Sequence, residues 1–175
     1  YGGVGANAAI AKVYGNPAMP IQPGSGGGGK AYPNGEVGGA GGGLVWFDVA
    51  GDVVLDNSSI LATAGNGSTS YGGGGSGGAV YIACTKIQGA KGVVDVSGGT
   101  GGTTQGDGGG GGRIAIIYDA AAQTAAPVPD IRFTALPGVA KSFGDIGTLY
   151  FPDNQLLVRQ TGFVVHSGQW TTAVP

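Results

Sequence analysis

Apolar positions fall in short alternating runs, each opened by glycine. Four runs match: Leu44-Val-Trp-Phe-Asp-Val49, Ala79-Val-Tyr-Ile-Ala-Cys84, Arg113-Ile-Ala-Ile-Ile-Tyr118 and Thr148-Leu-Tyr-Phe151. Alternation over so few residues predicts half-buried β-strands. Anchored on Val45, Val80, Ile114 and Leu149, the runs recur at steps of 35, 34 and 35 residues. A second strand lies between the anchors, as Ile60–Gly65, Val93–Gly98 and Ile131–Ala135. A shorter one, Val53-Val-Leu55, is echoed by Lys86-Ile-Gln88. No unit has apolar residues at i, i+3, i+4 and i+7, so no helix is expected.

Side chains alternate between the two faces of a strand. One parity is bulky and apolar: Val45/Phe47/Val49, Val80/Ile82/Cys84, Ile114/Ile116/Tyr118 and Leu149/Phe151. These residues are expected inside, with Leu61/Thr63, Val94/Val96 and Phe133/Ala135 from the second strand.

Composition changes the picture in one respect. Glycine supplies 41 of 175 residues and proline 9, a level that suggests disorder. The chain is nevertheless 41% apolar and only 10% charged, the reverse of a disordered balance. Its glycines are also periodic, which points to a repeat architecture. Glycine allows close approach of neighbouring backbones, so the runs are expected to be ordered extended segments of polyproline II type. The fold expected is an all-β parallel β-solenoid, a right-handed β-helix with ordered glycine-rich segments. Right-handedness follows from the usual hand of parallel crossovers. Residues 1–40 read as a Gly/Pro-rich lead-in, 41–155 as the repeated coils, and 156–175 as a C-terminal strand or tail.

The net charge of −2 comes without a basic patch, which argues against nucleic acid as a partner. The apolar runs are too short for a membrane-spanning helix, so no membrane insertion is expected. The single cysteine, Cys84, excludes an internal disulfide framework. The chain opens at Tyr1 rather than Met, and we read it as a mature or excised piece of a longer protein.

The layout GGGGSGGAVYI, then VVDVSGGTGG, then GGGGGRIAIIY resembles glycine-rich repeat regions of large secreted bacterial surface and adhesin-like proteins. Related stretches occur in some plant extracellular proteins. YGNPAMPIQPGSGGGG and the strand-rich segment after it resemble the lead-in to those repeats, and the likeness covers roughly residues 1–155. The resemblance implies a secreted parallel β-solenoid serving as scaffold, stalk or adhesin module. It implies an extracellular or cell-surface location and no catalytic residues.

Candidate chemistry is sparse. Cys84 falls on the inward parity and reads as a small buried hydrophobe, with no base nearby in sequence. His166, the only histidine, reads as a surface residue, and no second His or Cys offers a metal set. Gly106-Asp-Gly-Gly-Gly-Gly-Gly112 lacks the GK[ST] ending of a phosphate loop, and its lone Asp107 does not make a calcium nonapeptide array. A glycosidase needs two carboxylates facing one cleft. Among Asp48, Asp52, Asp56, Asp95, Asp107 and Asp119, Asp48 and Asp95 fall on different strands of the unit without basic partners. No catalytic residue, metal or cofactor is expected. Asn57-Ser-Ser59 and Asn66-Gly-Ser68 fit the glycan acceptor pattern.

The outward parity is more informative. Trp46, Tyr81 and Tyr150 occupy the same point of three units, with Ala115 in the gap, and would form an aromatic row with a shallow notch at Ala115. Such a row suits packing against another surface or binding a sugar ring; the competing arrangement has the glycine runs folded over it. The function expected is a non-enzymatic extracellular scaffold, stalk or filament subunit, with self-association or other surface proteins as partners. The alternative is a glycan-binding adhesin module that uses the row, and a polysaccharide-degrading enzyme ranks below both.

Overall fold

The computed structural model describes residues 14–30, 35–68, 70–157 and 165–172. These residues form ten strands in three parallel sheets, with one short helix. In chain order they are β1 Leu44–Asp48, β2 Val53–Val54, β3 Ser59–Leu61, β4 Ala79–Ala83, β5 Ile87–Gln88, β6 Ala90–Asp95 and β7 Arg113–Ile117. Helix α1, Ala120–Thr124, follows, then β8 Asp130–Thr134, β9 Thr148–Tyr150, a 3-10 turn at Gln155–Leu157, and β10 Gln169–Thr171. One sheet runs β1-β4-β7-β9-β10, another β2-β5, and the third β3-β6-β8.

This arrangement corrects the all-β solenoid expected from the sequence. A uniform coil would place equal numbers of strands in every sheet, and here the sheets hold five, two and three. The content is mixed, because α1 stands where the β2 and β5 positions would have had a third counterpart. The helix has local causes. Alanine is the best helix former, and Asp119 caps the start by accepting the Ala122 N–H at 2.9 Å. Five residues are too few for an apolar period to register, which is why the sequence pattern missed it.

Within the sheets the anchors pair in the register their spacing suggests: Val45 with Val80, Val80 with Ile114, and Ile114 with Leu149. Val80, Ile82, Ile114, Ile116, Leu149 and Phe151 are buried and meet Val94, Val96, Phe133 and Ala135 from the third sheet. Three residues expected inside are exposed instead. Phe47 is 41% exposed, because β1 is the end strand of its sheet. In β3 the core-facing residue is Ile60, which pairs with Val94 in the register that continues to Phe133. Leu61 pairs with Asp95 and is 60% exposed, and Thr63 is exposed too. A slip of one residue reverses the faces of a strand.

The glycine runs form the other half of the molecule, and backbone hydrogen bonds order them. Along Gly73–Gly78 each successive N–H points to a different neighbour. Gly73 and Ser76 donate to Gly28 and Ser25, Gly74 and Gly77 to Asp107 and Gly110, and Gly75 and Gly78 to Gly65 and Ala62. All six bonds are 2.8–3.0 Å long. A repeat of three residues is that of polyproline II. The close packing requires glycine. A Cβ on Gly77 would sit 1.7 Å from the Val96 carbonyl oxygen, and one on Gly74 1.8 Å from that of Gly99.

Gly77→Ala is therefore expected to destabilise the fold by about 2–3 kcal/mol or more. At Gly43 an added methyl group would meet nothing within 4 Å, and Gly43→Ala should change stability by about 0.5 kcal/mol or less. Urea unfolding of the two variants compares them. In the side-chain half, Ile82→Asp or Ile116→Asp buries an unpaired charge among fully buried residues. Both are expected to abolish cooperative unfolding by circular dichroism, and a melting point near wild type would reverse the assigned face.

Candidate contact surface

The outward face of the five-stranded sheet carries the aromatic row. Trp46 pairs with Tyr81, Tyr81 with Ala115, and Ala115 with Tyr150. Trp46 and Tyr81 stack face to face, with ring centroids 4.0 Å apart and planes inclined by 17°. Adjacent strands about 4.8 Å apart bring rings at one register position into this contact. Trp46 stays 39% exposed. Tyr81 and Tyr150 are half-buried. Ala115 is fully buried between the tyrosine-bearing strands, so the expected notch is closed.

With Trp46 this exposed, the row is not buried as a second core at its first position. Cover on this face comes from Tyr14–Pro23, and it lies over Arg113 and Gly77–Gly78. Arg113 donates through Nη2 to the Tyr14 carbonyl at 3.0 Å and through Nη1 to Thr148 Oγ1 at 3.3 Å. The Tyr14 hydroxyl donates to the Pro23 carbonyl at 2.9 Å, and Pro20 is fully buried. The cavity beneath this segment has about 10 Å³, the lower limit for one water molecule. It has no room for a sugar.

The remaining candidates have structural partners. The amides of Gly108, Gly109, Gly111 and Gly112 donate to Ser142, Gly99, Asp145 and Val96 carbonyls, which leaves none of them to cradle a phosphate. Asp48 and Asp95 lie in different sheets, on β1 and β6. Asp95 accepts from the Ser97 amide and hydroxyl, Asp52 pairs with Lys86 at 3.2 Å, and Asp56 accepts the Ala90 N–H. Among the described residues no three His, Cys, Asp or Glu side chains converge as a metal set. Cys84 packs half-buried against the core, and burial, followed by the charge of Asp52, pushes its thiol up to about 11. At neutral pH it stays protonated and is a poor nucleophile. Asn57 and Asn66 are exposed, and Asn66 Oδ1 accepts the Thr100 N–H.

His166 is not the surface residue expected. Its ring is partly buried against Phe133, with centroids 5.2 Å apart, and both nitrogens are bonded. Gln123 and the Tyr118–Asp153 pair were not anticipated either. Gln123 is buried, and its side-chain amide accepts the Ile87 N–H at 2.9 Å and donates to the Ile87 carbonyl at 3.1 Å. It takes the place of a strand beside β5. The Tyr118 hydroxyl donates to Asp153. Burial pushes Asp153 up, but the bonds from Tyr118 and Gln155 outweigh it and hold the carboxyl below its usual range. A glutamine beside alanines carries no sequence signal for such a role; a lone polar residue inside an apolar stretch is the nearest clue.

The chain matches no family model, no curated protein and no solved structure.

Truncating the exposed half of the stack should have a limited effect. Trp46→Ala is expected to cost about 1–2 kcal/mol for the lost ring contact. Phe133→Ala, in the core, should cost about 3–5 kcal/mol. Equal losses in chemical denaturation would mean that the row is core rather than surface.

Proposed function

We propose that the chain is a non-enzymatic structural module of an extracellular or cell-surface assembly, acting by self-association or by contact with other surface proteins. One observation carries this reading. Large exposed apolar side chains gather at the two ends of the stacked segments and are missing from the middle. Leu44, Trp46, Phe47, Val54 and Leu61 stand on β1–β3, and Leu136, Val139, Phe143 and Ile146 follow β8. Between Leu61 and Leu136 no large hydrophobic side chain is exposed among the described residues. Exposed apolar surface marks contact sites, and among the described residues β1, β2 and β3 are each the end strand of a sheet, the kind of edge that pairs with a further strand. The extracellular setting rests on the resemblance in residue layout.

The glycan-binding alternative draws less support from the row. A sugar ring needs an open aromatic face, and Trp46 and Tyr81 cover one face of each other. The lack of an enzymatic role is likewise a reading, supported by the separation of Asp48 from Asp95.

Sedimentation velocity over a concentration series tests self-association. Wild-type protein is expected to form larger species as concentration rises. Phe47→Glu and Phe143→Glu should each shift it toward monomer without lowering the melting temperature, whereas Lys91→Glu, in the middle, should leave assembly unchanged. A wild-type monomer at every concentration would sink self-association and leave heterologous surface proteins as the partners to test.

A further inference from the structure

We propose that His166 is an acid-sensitive latch: it holds the segment Val165–Thr172 against the edges of β8 and β9, and releases it when the ring takes up a proton on Nδ1. The geometry admits one protonation state. Nδ1 accepts the Phe133 N–H at 3.2 Å, and Nε2 lies 2.9 Å from the Leu156 carbonyl oxygen. An amide N–H only donates and a carbonyl only accepts, so the ring is neutral with its proton on Nε2. A proton on Nδ1 would set one N–H against another and break the bond to β8.

Among the described residues, the ring sits at the start of the contacts that hold the segment. Ser167 donates to the Phe133 carbonyl at 2.9 Å and accepts the Ala135 N–H at 2.6 Å. Gln169 donates to the Gly147 carbonyl at 2.8 Å, and β10 then pairs with β9. The Ser167 and Gln169 bonds lie within three residues of His166 along the chain, so loss of the ring's bond removes the first tether, among the described residues, of a short edge strand.

Among the described residues, the charged groups on the packed elements are engaged elsewhere. On β8 the Asp130 carboxylate accepts the Lys91 N–H, and Arg132 is exposed on the parity opposite Phe133. Asp153, just before the 3-10 turn, accepts from Tyr118 and Gln155. Strand β10, Gln-Trp-Thr, carries no ionisable side chain. Burial accordingly lowers the affinity of the ring for a proton, and the Leu156 carbonyl offsets this only in part. The sign follows. The released segment binds the proton at the ordinary histidine value of about 6.5, and the docked one binds it only at lower pH. Docking is complete above about 6.5 and weakens as pH falls through that value toward the docked pKa. Release would uncover the β8 and β9 edges, a strand-pairing surface that is covered at neutral pH. The latch stands whether or not the chain self-associates.

Amide hydrogen exchange on the whole chain, corrected for intrinsic rates, tests this between pH 8 and pH 5. The amides of Phe133, Ala135, Ser167 and Gln169 should lose protection as pH falls below about 6.5, by at most about tenfold per pH unit and levelling off at the docked pKa, while those of Ile82 and Val94 hold theirs. His166 is the only histidine, so its ring proton signals report its titration without ambiguity. The protonated fraction and the open population should rise together. His166→Asn keeps an acceptor near the Nδ1 position and does not titrate, so it should abolish the pH dependence whatever its level of protection. Wild-type protection that is constant with pH, a ring that titrates without opening the segment, or the same pH response in H166N would each overturn the latch.

Discussion

The contact on which the structure depends is backbone against backbone between glycine runs. At Gly77, Gly74 and Gly109 a methyl group would fall 1.7–1.8 Å from a neighbouring carbonyl oxygen, so the spacing exists only without side chains. At that spacing each segment offers N–H groups in three directions, and Gly73–Gly78 uses all three. A net gain of about 1 kcal/mol per hydrogen bond is modest. The dense network matters more for what it prevents, because a buried amide without a partner costs more than a made bond returns. The same constraint explains Ser76. It is the one residue of the Gly72–Gly78 run with a side chain, it is fully buried, and its hydroxyl accepts the Ser25 N–H.

Each glycine run then delivers its strand to the sheet in register. Gly78 leads directly into Ala79, and Gly112 into Arg113, with no loop in which the register could drift. The Gly78 carbonyl accepts the Arg113 N–H, and the Gly112 carbonyl accepts the Thr148 N–H. One ladder of bonds thus runs from the glycine half into the side-chain half. Burial of Val80, Ile82, Ile114 and Ile116 supplies the hydrophobic contribution, and glycine contacts set the spacing.

How much of this was legible in the sequence depended on whether a feature repeats. Val80, Ile114 and Leu149 repeat, and both their pairing and their burial could be read from spacing and alternation. Their aromatic counterparts Trp46 and Tyr81 were legible for the same reason, and they meet in one stack. The misreadings lie where the repeat ends or changes. Phe47 has the inward parity but sits on an end strand, and parity says nothing about whether a neighbouring strand exists. Ile60 and Leu61 are adjacent apolar residues, so alternation could not choose between them. The stretch Asp119–Thr124 breaks the pattern through a cap and an alanine run, both local effects outside any 35-residue period.

The side chains that the sequence pattern could not rank close the sheet edges. A strand edge presents N–H and C=O groups that must find partners. Gln123 does this for β5, because its primary amide carries the same donor and acceptor as a peptide. His166 does it at β8, with its neutral ring as acceptor for Phe133 and donor to Leu156. The two substitutes differ in one property. An amide keeps its donor and acceptor at every pH, whereas an imidazole loses its acceptor on protonation. Closure at β5 is therefore permanent and closure at β8 conditional on pH. At the opposite end β1, β2 and β3 have no such substitute among the described residues, and Trp46, Phe47, Val54 and Leu61 stand exposed there. The edges of β5 and β8 are thus closed by side chains, while exposed apolar groups stand at both ends, on β1–β3 and at Leu136, Val139, Phe143 and Ile146.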